Sequence, residues 1–157
     1  MEYQLAQINI GRILGPIDSP VMAEFVANLD RINSLAEKSP GFVWRLKDDN
    51  NNATSIKIYD DDSLIVNMSV WKDLETLMNY VYKSAHVEIL KRSREWFSKL
   101  KEMHMALWYI PSGHIPSVEE AIERLNHLRA HGETPYAFSF RKKFSIEEYN
   151  AFQNETL

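Results

Sequence analysis

From Tyr3 to Arg12 apolar and other residues alternate with period two, placing Ala6, Ile8 and Ile10 on one side of an extended chain and Leu5, Gln7 and Asn9 on the other. This predicts a half-buried strand. The period then lengthens. Ser19 followed by Pro20 is a helix start, and Met22, Phe25, Val26, Leu29, Ile32 and Leu35 recur at helical spacing up to Ser39-Pro40-Gly41, where proline disfavours helical backbone in the residue before it. Phe42 to Lys47 predicts a second strand, the polar run Asp48 to Asn52 a turn, and Ser55 to Tyr59 a continuation of that hairpin. From Leu64 to Trp71 the alternation returns, with Leu64, Val66, Met68 and Val70 on one side and Asn67, Ser69 and Trp71 on the other.

Asp73 opens a helical region whose apolar spacing drifts near Ser84, which predicts either one long helix or two abutting ones. Met103 to Ile110 predicts another strand, with Met105, Leu107 and Tyr109 opposite His104, Ala106 and Trp108. Ser117 with Glu120 has the spacing of a capping box for a helix that Gly132 ends. Pro135 to Arg141 predicts a last strand, and Ser145 with Glu148 caps a short terminal helix. The order β-α-β-β-α-β, followed by a further helix and strand, favours an α+β fold of ferredoxin-like type with an antiparallel sheet and helices on one face. Residues 1–141 read as one domain and 142–157 as a short helical tail.

Composition adds limits. The 157 residues are 45% hydrophobic and 25% charged, which is ordinary globular usage. There is no cysteine, so disulfides, thiolate metal sites and cysteine nucleophiles are out. The net charge of −4 with interspersed signs argues against nucleic acid as a partner. No apolar run is long enough for a membrane span, and the N-terminus lacks the pattern of a signal peptide, so a cytoplasmic, membrane-free protein is expected.

If the apolar strand positions pack beneath the helices, the opposite face carries Gln7, Asn9, Asn67, Ser69, Trp71, His104 and Trp108, joined by Trp44 or Arg45 according to register. A face mixing aromatic and hydrogen-bonding groups suits a homodimer interface enclosing a small-molecule pocket. In that pocket His104 is the candidate base, Asn9, Asn67 and Arg45 the orienting groups, Trp44 and Trp108 the walls, and Ser69, Trp71 and His86 further substrate contacts. His86 lies one turn from both Tyr82 and Leu90 on a largely apolar stripe, which equally suits a packed histidine. His127 and His131, one turn apart, lack an evident third metal ligand, and Asp60, Asp61 and Asp62 lack the alternation of a calcium loop, so no metal site is expected.

Asn9, Asp30, Arg31, the segments Ser39 to Arg45, Asn67 to Trp71, Tyr82 to His86 and Arg94 to Phe97, Leu107-Trp108, and Pro111 to Pro116 together resemble a bacterial family known only as a domain of unknown function, over about residues 4–141. The resemblance implies a dimeric α+β barrel, a group that also holds monooxygenases of the antibiotic-biosynthesis type and haem-degrading enzymes. It implies a small-molecule enzyme, cofactor-independent monooxygenase or isomerase, acting on an apolar or aromatic substrate. A non-catalytic binding or sensing module and a haem-binding protein are the alternatives. For haem, the group uses an Asn on the first strand, a Trp ending the third and a His on the next helix. Asn9, Trp71 and His86 occupy those elements, with a longer interval from Trp71 to His86 than the pattern implies.

Overall fold

The computed structural model describes residues 2–48, 52–54 and 56–156. Its elements follow the chain as β1 (Tyr3–Ile13), α1 (Ala23–Lys38), β2 (Phe42–Arg45), β3 (Leu64–Trp71), α2 (Leu74–Lys83), α3 (His86–Lys91), β4 (Phe97–Ser98), β5 (Met105–Pro111), α4 (Val118–His131) and α5 (Ile146–Thr156). β1 pairs antiparallel with β3 along one edge and with β5 and the short β4 along the other, while β2 pairs antiparallel with β3. The strand order β2-β3-β1-β5 is that of a ferredoxin-like α+β fold, as the element order predicts.

Local chemistry sets the boundaries. Gly41 turns the chain from α1 into β2 at φ 84°, and a Cβ there would lie 2.5 Å from the Thr76 side chain, so no other residue fits without displacement. Asp73 caps α2 by accepting from the Thr76 amide at 2.8 Å. The drift near Ser84 is a break: Ser84 is extended, and α3 begins at His86. Ser117 caps α4, and Gly132 ends it at φ 76°.

Helices cover both faces of the sheet, which corrects the expectation of helices on one face. Ala6, Ile8, Ile10, Val66, Met68, Val70, Ala106 and Ile110 pack against Ala121, Leu125 and Leu128 of α4. On the other face Leu5, Trp71, Leu107 and Tyr109 pack against Ala36 of α1, Leu77 of α2, Phe138 and Tyr149 of α5. The apolar positions therefore do lie beneath a helix, but beneath α4, while α1 and α2 sit over the face that carries Gln7, Asn67 and Ser69. Among the described residues both faces are covered within one chain, so a bare sheet face does not by itself call for a second copy.

Two expected strands are absent among the described residues. Within Pro135 to Arg141 only Phe138 bridges Leu107, because the Glu133 carboxylate captures the Ser139 amide at 2.7 Å and its hydroxyl at 2.6 Å, diverting the chain from a ladder. Ile58 bridges Asp61 in a tight turn, so 56–59 does not extend the hairpin. Asp49, Asn50, Asn51 and Ser55 lie outside the described residues. The tail is docked: Tyr149 is buried, and the Tyr109 hydroxyl donates to the Phe144 carbonyl at 2.6 Å.

Candidate functional site

Strand register arranges the α1 and α2 face in rows. Arg45, Ser69, Gln7 and Leu107 are successive partners across β2, β3, β1 and β5. Asn67, Asn9 and Met105 form the next row. The first row is buried, whereas Asn9 and Asn67 are exposed, so the cover stops between them. Beyond them Phe97 lies over Gly11, where a Cβ would meet its ring at 2.7 Å, and Phe25 of α1 is edge-on to Phe97 at 5.1 Å. α1 thus runs from Phe25 above Gly11 to Ala36 in the Trp71 cluster. Its middle spans the part of the face where the two asparagines are exposed. Of its 16 residues only Ala36 is buried, so the helix bridges this region instead of packing into it.

A hydrogen-bonded network makes the buried polar row tolerable. The Gln7 side-chain amide donates to Asn67 Oδ1 at 2.6 Å and to Ser69 Oγ at 2.8 Å, and Trp71 Nε1 also donates to Ser69 Oγ at 2.8 Å. With two donors directed at its oxygen, the Ser69 hydroxyl has its own proton to give, and Asn67 keeps its amide hydrogens. Arg45, nearly buried beside Ser69, is neutralised by Glu37 of α1 at 3.0 Å.

An aromatic column stands next to this network. Phe42 meets Trp71 edge-on at 5.6 Å, Trp71 stacks on Tyr80 at 5.0 Å, and the His86 ring lies 4.9 Å beyond Tyr80. The Tyr80 hydroxyl donates to the Ile32 carbonyl at 3.2 Å, tying α2 to α1. Burial holds the His86 pKa below the usual histidine value, so the ring is neutral at neutral pH. Burial also raises the Tyr80 phenol far above its ordinary value, keeping it protonated. The arrangement offers oriented neutral donors, apolar walls and one neutral imidazole at its edge.

The structure brings together Asn9, Asn67, Ser69, Trp71 and Arg45 on one face and puts His86 at its rim. It separates His104, Trp108 and Trp44 from them. Asn9 pairs with Met105, and Ala6 with Trp108, so Trp108 belongs to the α4 face, where its Nε1 donates to Glu120 at 2.9 Å. Trp44 pairs with Val70 and packs against the same aliphatic cluster. His104 accepts the Ile10 amide at its carbonyl (2.8 Å) and is exposed beyond the end of β5. The alternation within β5 is as expected; the error lay in joining the wrong half of it to Asn9. Parity places Gln7 on this face but does not show it as the hub of the network, and the neighbours Glu37 and Tyr80 were not anticipated. Tyr80 follows Leu77 at helical spacing, the only signal that pointed it inward.

His127 and His131 lie ring to ring at 4.4 Å on α4, and among the described residues no group of three His, Asp or Glu is placed to hold a metal. No helix of the described residues is long and apolar enough to cross a membrane.

The family model for a domain of unknown function, DUF3291, matches residues 4–154. The chain belongs to that family. No curated protein matches this DUF3291 chain in sequence. Among solved structures it is similar to SnoaB, a cofactor-independent oxygenase from Streptomyces nogalater, at 16% identity over 71% of this chain and 95% of that one, with a TM-score of 0.47. MupZ from Pseudomonas fluorescens is 15% identical over 94% of this chain and 92% of its own, with a TM-score of 0.45. A monooxygenase from the gene ActVA-Orf6 of Streptomyces coelicolor, solved with the ligand nanaomycin D, is 14% identical over 73% and 93%, at 0.44. At these identities the likeness is one of fold.

A haem seated between Trp71 and His86, the pair that the family resemblance implies, does not fit this packing. Tyr80 fills the space between Trp71 and His86, in ring contact with both and anchored to Ile32, so a macrocycle between them would have to expel it.

Proposed function

We propose that this chain is a small-molecule enzyme of the monooxygenase-like kind, working without a bound cofactor on an apolar or aromatic substrate held between α1 and the Asn9–Asn67 row. One observation carries the reading: a buried polar network that ends at exposed Asn67, with Asn9 exposed beside it as its strand partner, bounded by Trp71 and Tyr80 on one side and Phe97 and Phe25 on the other. An evolved core gains nothing from such a row, since buried polar groups cost energy unless paired. As a set of fixed donors it stabilises negative charge that develops on a bound substrate. Asn67, Asn9 and the Ser69 hydroxyl are those donors, Trp71 and Arg45 hold Ser69 and its surroundings in place, and the acidic substrate gives its proton to solvent at the exposed asparagine row. The resulting carbanion, or the phenolate through its ring carbon, is itself the reductant of dioxygen: a C–O bond forms to give a hydroperoxide, whose O–O bond then breaks with loss of the hydrogen on that carbon, leaving a carbonyl and water; in an isomerisation the anion is instead reprotonated elsewhere. Self-pairing belongs to this proposal through α1, whose Val26 is exposed and whose Leu29 and Ile32 are only half-buried. Light scattering measures it.

The test is oxygen uptake, with product analysis by mass spectrometry, across a panel of electron-rich phenols and hydroquinones. Turnover that falls by about tenfold or more in Asn67→Ala, with the fold intact and His127→Ala unaffected, supports the reading; undiminished turnover in Asn67→Ala overturns it. A second reading, a non-catalytic binding module, has its own support: among the described residues no titratable side chain hydrogen-bonds to the Gln7–Asn67–Ser69 network. Saturable binding by calorimetry without turnover selects that reading.

A further inference from the structure

At the end of the opposite sheet face lies a cleft of about 410 Å3 with a floor of Ile10, Leu64 and Leu100. Arg12, Lys99, Lys101 and Arg129 line it against only Asp61 and Glu102, so four cations and two carboxylates leave two positive charges there, in a chain whose net charge is −4. Lys99 and Lys101 are exposed and have no ion-pair partner among the described residues.

The two arginines are fixed by one turn. Its central residues, Tyr59 and Asp60, both have positive φ, 52° and 53°, and the Asp61 amide closes it on the Ile58 carbonyl at 3.1 Å. A two-residue turn of this hand favours Asn, Asp or Gly, and a tyrosine is strained in it. The strain has a use: the Tyr59 hydroxyl donates to Asn126 at 2.7 Å and faces an N–H of Arg129 at 3.4 Å, while the guanidinium lies 5.5 Å over the ring. Asp61, next but one along the turn, holds Arg12 at 3.0 Å. Arg129 is further anchored by the Met103 carbonyl at 2.8 Å and stays 20% exposed, enough to present its remaining N–H groups to the cleft. Strained backbone that positions charged side chains is a mark of a binding site.

We propose that this cleft binds a small organic dianion whose apolar body rests on Ile10, Leu64 and Leu100 and whose charged group is gripped by Arg129 and the two lysines. Planar guanidinium forks match phosphate and carboxylate alike. The site is separate from the asparagine row, being on the other face, and stands or falls independently of the function proposed above.

Phenyl phosphate is the probe, followed by amide chemical shifts, with inorganic phosphate and phthalate as comparison arms. Phenyl phosphate gives saturable shifts at residues 99–101 and 129, binds more tightly than inorganic phosphate, and weakens as salt rises to about 0.5 M. Tighter binding of phthalate than of phenyl phosphate assigns the site to dicarboxylates; the reverse assigns it to phosphate esters. In the exposed Lys99→Gln/Lys101→Gln double variant the Kd rises by about tenfold or more. Tyr59→Gly relieves the turn, so it melts no lower than the parent yet binds more weakly. The proposal is overturned if no saturable shift appears at these residues, if the double lysine variant binds like the parent, or if inorganic phosphate binds as well as phenyl phosphate.

Discussion

Ala6, Ile8 and Ile10 share an apolar cluster with Ala121, Leu125 and Leu128 of α4, while Gln7, one residue along the same strand, donates to Ser69 and Asn67, and Asn9 pairs with Asn67 across the sheet. Each face is internally consistent. The α4 face draws its stability mainly from apolar area removed from water, roughly 25 cal/mol per Å2. Its polar groups sit at the margins, where Trp108 Nε1 donates to Glu120 and Gln4 Oε1, Arg124 Nε and His127 Nδ1 are buried without a hydrogen bond among the described residues. The α1 face buries Gln7, Arg45 and Ser69, and every one of them is held by a hydrogen bond or ion pair. Packing there is also looser, since α1 buries only Ala36 and α3 buries no residue. The contrast teaches that one sheet can be covered in two ways, by aliphatic contact beneath α4 and by a hydrogen-bonded polar row beneath α1.

Breaking the dry face produces the largest expected effect. Leu125 is fully buried at the centre of the α4 packing, and Leu125→Ala leaves a cavity that its neighbours only partly close. The expected loss is about 2–5 kcal/mol, read as a lowered denaturation midpoint with unchanged slope. On the polar face, Ser69→Ala strips the acceptor from both Gln7 Nε2 and Trp71 Nε1, and leaving buried donors unpaired costs about 1–3 kcal/mol. Adding Gln7→Leu removes one of the orphans, so the double variant should be less destabilised than the sum of the two single changes. A strictly additive pair would show that the network does not act as a unit. Asn67→Ala sharpens the contrast from the other direction. Its side chain is exposed but its Oδ1 accepts from the buried Gln7 amide at 2.6 Å, so the midpoint should fall by about 0.5–1.5 kcal/mol, less than for Ser69→Ala, while ligand binding on that face weakens.

Much of this contrast can be read along the chain. The alternation in β1 and β3 assigned Gln7, Asn9, Asn67, Ser69 and Trp71 to one side, because side-chain direction within a strand depends only on parity. What parity within a strand does not carry is the register between strands. His104 and Trp108 joined the wrong face because the pairing of Asn9 with Met105, and not with His104, is set by the long-range β1–β5 ladder. Nor does parity say which helix covers which face. α4 lies more than 100 residues beyond β1 in the chain, and its apolar stripe of Ala121, Leu125 and Leu128 matches the aliphatic side of the sheet only once both have formed. The strand expected at 135–141 failed for a local reason of the opposite kind: one carboxylate, Glu133, satisfies the amide and hydroxyl of Ser139 better than a neighbouring strand would.

The smallest expected effect concerns the rim of the polar face. His86 is partly buried against Tyr80, and burial lowers its folded pKa below the unfolded value of about 6.5, outweighing the contact of its Nδ1 with the Val81 carbonyl. The unfolded chain therefore takes up the proton first as pH falls. The stability tied to neutral His86 is fully present above about pH 6.5 and is lost as pH drops through that value toward the lower folded pKa. His86→Phe keeps a ring against Tyr80 and removes the titration. Between about pH 7.5 and about pH 5.5, the parent should lose more stability by chemical denaturation than the variant does. Asp61 and Glu95 contribute little in that window, because hydrogen bonds from Ser63 and Arg92, respectively, hold their carboxyls below the usual range. Equal slopes for parent and variant would place the His86 ring in water in the folded protein, and the aromatic column would then end at Tyr80.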